Sequence, residues 1–253
     1  EVCMIEVKTS SEVEIIRDNA NILGQIIEKL TQEIKPGIKT IELDRYAEKL
    51  IRDAGGDPAF KGYRGFPSSL CTSINEEIVH GIPSERSLQE GDIISLDIGL
   101  RKNGFYSDAA TTVPVGRVED EVRALMNTAN NALTEGFDYA RVGNRVSDIS
   151  HAIGSFVKSR GFYVVKEFVG HGIGRQLHED PQIQNYGDPG KGKRLKEGMV
   201  FAIEPMVKTD DQPVKVLDDG WTAVTGSGGL STHFEGMVHI SENGPEILVR
   251  GGE

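Results

Sequence analysis

The sequence predicts an α+β fold built from two copies of one helix-then-strand unit, related by an approximate internal two-fold. Segments with helical periodicity and segments rich in β-forming residues alternate in the order helices, strands, helices, strands. EGDIISLD, from Glu90 to Asp97, aligns with EGMVFAIE, from Glu197 to Glu204, at an offset of 107 residues, and each ends a strand with a carboxylate. Gly37 through Gly55 aligns with Gly143 through Gly161 at an offset of 106; Leu43, Leu50 and Ile51 are matched by Ile149, Phe156 and Val157. IVHGIP and QLHEDP share a His-x-x-Pro pattern at the different offset of 98, so the loops around them must differ in length.

A unit this small cannot cover its own sheet, so the two copies must pair. Their strands are expected to form one curved antiparallel sheet covered by helices, with ligands held where the halves meet. No Pro/Ser-rich linker interrupts the chain. Residues 1–253 therefore read as one domain, with the repeat spanning approximately 10–115 and 118–245.

In chain order, helical periodicity runs from Ser11 to about Glu33, with a cap expected at Ser10 or Ser11 and a stop at Pro36-Gly37. A second helix fits Thr40 to Ala54, ended by Gly55-Gly56. A helix-rich stretch from Glu119 to Gly161 opens the second copy, and β-rich segments complete it. Between the helical regions, SLDIGLRKNGFYSDAA predicts a hairpin turning at Asn103-Gly104. That register sets Asp97 opposite Ala110 and Asp108 opposite Gly99. Alternation puts both aspartates on one face, and Ile94, Leu96, Ile98 and Leu100 on the other, as a core surface. Gly99 and Ala110 are expected to leave room between the two carboxylates, which are costly to crowd together unless protonated or bridged by cations.

Composition narrows the partners. The net charge of −11 opposes binding to nucleic acid or anionic membranes. Two cysteines, Cys3 and Cys71, give no disulfide framework and fit a reducing cytosol. No apolar run approaches a membrane span, and EVCMIEVKTSSE lacks a signal-peptide profile. A cytoplasmic, water-soluble protein is expected.

More carboxylates join the aspartates. Glu204 ends the duplicate strand, held extended by Pro205. Glu235 lies in the strand-like STHFEGMVHI, and His171 in FVGHGIGRQLHEDP, where Gly170, Gly172 and Gly174 are expected to let the backbone turn tightly. Two Asp, two Glu and one His offer enough ligand atoms for two divalent cations sharing carboxylates around one water. That donor set suits Mn, Fe or Co better than a thiolate-type structural zinc.

Taken with SINEEIVHGIP, DIGLRKNGFYSDAA, GHGIG, AIEP and STHFE, these residues resemble the type I methionine aminopeptidases over nearly the whole chain. The resemblance implies the duplicated "pita-bread" fold and removal of the initiator methionine when the second residue is small. It implies that Asp97 binds one metal, His171 and Glu204 the other, and that Asp108 and Glu235 bridge them. A bridging water is then the nucleophile, Glu204 the general base, His80 a contact to the substrate amide, and His178 a group at the scissile carbonyl. Tyr63, Phe66, Cys71 and Trp221 match the family's methionine pocket, and a monovalent cation is implied near Asn75 and Ser231. The implied partner is the N-terminal peptide of nascent proteins near the ribosome, and the implied state a monomer.

The chain departs from the family at Gly236-Met237, where His-Thr is common and loss of the polar side chain is expected to loosen Glu235. It departs also at Leu177, at Arg64 and in a TGSGG stretch, Thr225 to Gly229, richer in glycine than usual. GDPGKGKR begins like a phosphate loop, but Arg194 stands at the Ser/Thr position, and GHGIG lacks the last glycine of a dinucleotide fingerprint. Two rival readings are a metallopeptidase cleaving before proline and a non-catalytic binding module. The first usually carries an additional N-terminal domain; the second typically loses ligands that this chain retains.

Overall fold

The computed structural model describes residues 5–251; Cys3 lies outside them. Four helices carry the outer layer: α1 Ser10–Gln32, α2 Thr40–Asp53, α3 Asp120–Tyr139 and α4 Val146–Ser159. The cap of α1 is Thr9, not Ser10 or Ser11, because Glu12 stands three residues after it. Glu12 Oε2 accepts the Thr9 N–H at 2.7 Å, and Thr9 Oγ1 accepts the Glu12 N–H at 3.4 Å, closing a capping box. Val13, Ile16, Ala20, Leu23, Ile27 and Leu30 line the buried stripe of α1.

The duplication is visible in the backbone. The Lys39 N–H meets Glu42 Oε2 at 2.9 Å at the start of α2, and 106 residues on the Arg145 N–H meets Asp148 Oδ2 at 2.7 Å at the start of α4. Gly37 (φ 90°) donates to Leu88 O at 2.8 Å; Gly143 (φ 92°) donates to Leu195 O at 3.1 Å. Only glycine adopts that φ without strain, so both copies keep one there.

The strands pair antiparallel throughout. In the first half, Ile93–Lys102 pairs with Phe105–Pro114 on one side, and with Leu70–Ile74 and Asp57–Pro58 on the other. In the second, the order is Gly244–Arg250, Gly236–Ser241, Val200–Ile203, Gly170–Gly172 and Glu179–Ile183. The two sheets meet where Ala110 and Glu235 exchange backbone hydrogen bonds of 2.8 and 3.4 Å. Two three-stranded sheets lie around this junction.

Two main cores fill the molecule, the first drawing in Val200, Ala202, Met237 and Val249 of the second half. Ile94, Leu96, Ile98 and Leu100 pack with α1 in one; Phe201, Ile203, Val238 and Ile240 pack with Phe137, Ile149 and Ile153 of α3 and α4 in the other. Among the described residues no helix is long and apolar enough to cross a membrane.

Candidate metal centre and active site

The hairpin forms in the predicted register, with Asp97 opposite Ala110 and Asp108 opposite Gly99. Its core face is fully buried, so a slip of one residue would turn four large aliphatic side chains toward the cavity and drive Ser95 and Asp97 into the apolar core. The space over Gly99, however, is filled. A Cβ there would come within 2.7 Å of Ala59 and Phe60, so the glycine admits that packing rather than a ligand. The glycines around His171 likewise serve close approach, not turning. A Cβ on Gly170 would meet Ala202 O at 2.6 Å, and one on Gly172 would meet Asp180 O at 2.2 Å. They let the short His171 strand lie tightly between its neighbours.

The eleven side chains expected to hold divalent metal, take part in catalysis or bind methionine line one cavity of about 350 Å³ between the halves. Asp97 and Asp108 reach it from the hairpin, His171 from Gly170–Gly172, Glu204 from the residue after Val200–Ile203, and Glu235 from the break before Gly236–Ser241. Asp108, His171 and Glu235 bring ligand atoms within 4.8 Å of one another. His171 Nε2 lies 3.6 Å from Glu204 Oε1 and 4.0 Å from Asp108 Oδ2, while its Nδ1 is oriented by Gly172 O at 2.9 Å. Asp97 Oδ1, Asp108 Oδ1 and Glu235 Oε1 are buried without hydrogen-bond partners.

Opposite the carboxylates the wall is aromatic. Phe66 and Trp221 pack edge to face at 5.2 Å, and the His80 ring stands edge-on to Phe168 at 5.4 Å and to Trp221 at 6.2 Å. His80 has a φ of 62°, unusual for a residue with a side chain. The His178 ring lies 4.4 Å from that of His171, tilted by 56°, and its Nδ1 lies 2.8 Å from the Tyr63 hydroxyl. Cys71 is the cross-strand partner of Asp97 and is buried. Asn75 and Ser231 are also brought together, the Ser231 N–H donating to Asn75 O at 2.9 Å.

The electrostatics follow from burial. Desolvation pushes the Asp97 carboxyl up to about 7. Desolvation and then mutual repulsion hold Asp108, Glu204 and Glu235 well above the usual carboxylate range. Burial, reinforced by His178, lowers His171 to about 3; burial, with Arg64 and His80, lowers His178 to about 4. Burial next to the carboxylates keeps the Cys71 thiol protonated, so it offers no thiolate. Four crowded carboxyls, neutral imidazole and orphaned buried oxygens are what a site for hard-to-borderline divalent cations requires.

Several contacts were not legible beforehand. His233 lies behind Glu204 and Glu235, 3.7 and 3.9 Å from their carboxylates; its place in STHFE, two residues before Glu235 on the same strand face, was the available signal. Met237, a departure from the family, uses its thioether to accept the Asp108 N–H at 3.3 Å. The main chain of Glu235 is fixed on two sides: besides its exchange with Ala110, its carbonyl accepts the Gly251 N–H at 2.9 Å. The glycine-rich turn after Thr225 is tied by Thr225 Oγ1 to Gly229 O at 2.7 Å. In GDPGKGKR, the Gly190 and Lys191 N–H groups already donate to Asp148 and Ser147 at 2.6 Å, so that loop cradles no phosphate.

Comparison with known proteins agrees with this geometry. Residues 14–242 match the model of metallopeptidase family M24. Methionine aminopeptidase 1 of Bacillus subtilis is 50% identical over 247 residues, covering 98% of this chain and all of the relative. The crystal structure of methionine aminopeptidase from Thermotoga maritima superposes with a TM-score of 0.95 at 42% identity, covering 97% of this chain and 99% of that one. Prolidase from Pyrococcus furiosus shares the fold at a TM-score of 0.80 and 25% identity, but this chain spans only 66% of it. The chain belongs to metallopeptidase family M24, and within it to the type I methionine aminopeptidases with their duplicated pita-bread fold.

Proposed function

We propose that this chain removes the initiator methionine from nascent proteins whose second residue is small, using a dinuclear metal centre. The observation carrying the reading is one cavity that joins the buried carboxyls of Asp97, Asp108 and Glu235, the half-buried Glu204 and His171 to a wall of Phe66, Trp221, Tyr63 and the Cys71 thiol. Aromatic and sulfur contacts suit a thioether side chain.

In this reading Asp97 would hold one cation, His171 and Glu204 would hold the other, and Asp108 and Glu235 would contribute to both. Two such cations would polarise the scissile carbonyl and lower the pKa of a water molecule. Glu204, raised well above the ordinary range by burial, takes the proton as general base and passes it to the departing amine. His178, its Nδ1 held 2.8 Å from the Tyr63 hydroxyl, donates a hydrogen bond to the oxyanion in the tautomer that carries the proton on Nε2. His80, fixed by Phe168 and Trp221, orients the substrate amide. A monovalent cation near Asn75 and Ser231, action as a cytoplasmic monomer near the ribosome, and a single catalytic domain over 1–253 complete the proposal.

The test is free methionine released from Met-Gly-Met-Met by chelator-stripped protein before and after Mn or Co is added, with Ala-Pro-Gly alongside and Met-Phe- and Met-Lys-initiated peptides for the second position. Metal-dependent release confined to Met-Gly is expected. Cleavage of Ala-Pro-Gly instead would move the activity to the prolidase branch.

A further inference from the structure

His233 is 1% exposed and lies off the cavity wall, behind the two glutamates. Its backbone is fixed to the other half of the molecule. The His233 N–H donates to Thr112 Oγ1 at 2.9 Å, and its carbonyl accepts from the same hydroxyl at 2.9 Å. Thr112 Oγ1 in turn lies 2.8 Å from Ser95 Oγ, so the imidazole is rooted on both strands of the Asp97–Asp108 hairpin.

Neither ring nitrogen has a hydrogen-bond partner. Leaving buried polar atoms unpaired costs about 1–3 kcal/mol each, so an unused imidazole here would be a standing penalty. The polar atoms it faces are those of the two glutamates: Nε2 is 3.7 Å from Glu204 Oε2 and 3.9 Å from Glu235 Oε2. These gaps are roughly 1 Å beyond a hydrogen bond, within reach of a small side-chain adjustment of either glutamate. The opposite oxygens face elsewhere. Glu204 Oε1 lies 3.6 Å from His171 Nε2, and Glu235 Oε1 is buried without a partner.

We propose that His233 is a positioning residue whose Nε2–H serves Glu204 and Glu235, setting the rotation of both carboxylates toward the divalent cations. The assignment rests on the metal reading above. It gives the glutamates, which stand where strands end, the orientation that the aspartates obtain from an unbroken ladder. Partners of this kind govern metal affinity as well as rate.

The experiment titrates Co into chelator-stripped parent, H233A and H233Q proteins by calorimetry, and records the visible spectrum of each Co-loaded form. H233A is expected to bind Co about 10–100-fold more weakly with an altered spectrum. H233Q, which keeps an N–H donor, is expected to recover most of that affinity. Equal affinity and spectrum in parent and H233A overturn the assignment, as does an H233Q loss as deep as that of H233A. A parent that binds no Co overturns the metal reading and this assignment with it, whereas failure confined to the variants' behaviour leaves the metal reading standing.

Discussion

The two halves of the molecule deliver carboxylates to the same cavity by different means. In the first half, Asp97 and Asp108 sit mid-ladder in a hairpin of ten paired positions, from Ile93 opposite Pro114 to Lys102 opposite Phe105. Short side chains on a fully paired backbone have little freedom. In the second half, Glu204 follows the last residue of Val200–Ile203, and Glu235 occupies the break between Ser231–His233 and Gly236–Ser241. These side chains are longer, their backbone leaves the ladder, and imidazoles stand beside them. One half is a platform set by main-chain pairing; the other depends on neighbouring side chains.

Removing a platform carboxylate should therefore do the most damage. Asp108→Ala takes away a ligand proposed to be shared by both cations, and is expected to lower kcat/KM for Met-Gly-Met-Met by ~10³-fold or more. Adding excess Mn should not restore it. If the variant retained a tenth of the parental rate, the shared-carboxylate arrangement would be wrong.

His178→Ala tests the loop side of the cavity. The ring is positioned by Tyr63 at 2.8 Å and by a tilted contact with the His171 ring. Losing a donor to the oxyanion is expected to lower kcat by ~10²-fold while KM changes little. A variant with parental kcat would reduce His178 to a packing residue against Tyr63.

A third test asks how the carboxyls keep their protons. Asp97, pushed up to about 7, and Asp108, Glu204 and Glu235, held well above the usual carboxylate range, bind protons more tightly in the folded chain than unfolded. For such groups the folded state gains from protonation. Their contribution to stability is present below about pH 4 and is lost as pH rises through their folded values. Divalent cations must expel those protons, so Co affinity should climb as pH rises from 6 to 8, by about tenfold per pH unit for each proton released. His171, already neutral because burial lowers it to about 3, adds no proton. Titrations at pH 7 in buffers of different ionisation enthalpy count the release; a count of zero would contradict the raised carboxyls.

The contrast between the halves also explains what was legible in the sequence. The Asn103-Gly104 turn and strict alternation specify the hairpin register completely, because any slip would invert a buried face. The residues at the cavity were legible because each belongs to a short local pattern. Close approach between distant segments was not. The sequence suggests that Gly99 leaves room between the two carboxylates, but only the folded chain brings Ala59 and Phe60 over it. His233 and Met237 act on Glu204, Glu235 and Asp108 across strand pairings that no local motif records. The cap of α1 was readable, since Thr9 and Glu12 form a T-x-x-E box; two adjacent serines simply offered a competing start.

The smallest expected effect on catalysis comes from Gly236, and it sharpens the comparison most finely. A Cβ at this position would stand 2.5 Å from Val249 O and 2.9 Å from Phe137 Cζ. The first is backbone and cannot rotate away, so Gly236→Ala must separate Gly236–Ser241 from Gly244–Arg250 locally. Overpacking of this kind is expected to destabilise the metal-free protein by about 1–3 kcal/mol, read from the shift of a denaturant midpoint at unchanged slope. Because Glu235 is the next residue and its carbonyl is held by Gly251, the strain should reach the second-half carboxylates and weaken Co binding, leaving the hairpin aspartates in place. Parental stability would mean that the second half absorbs a methyl group by sliding, and that its carboxylates are placed more loosely than the packing around Gly236 implies.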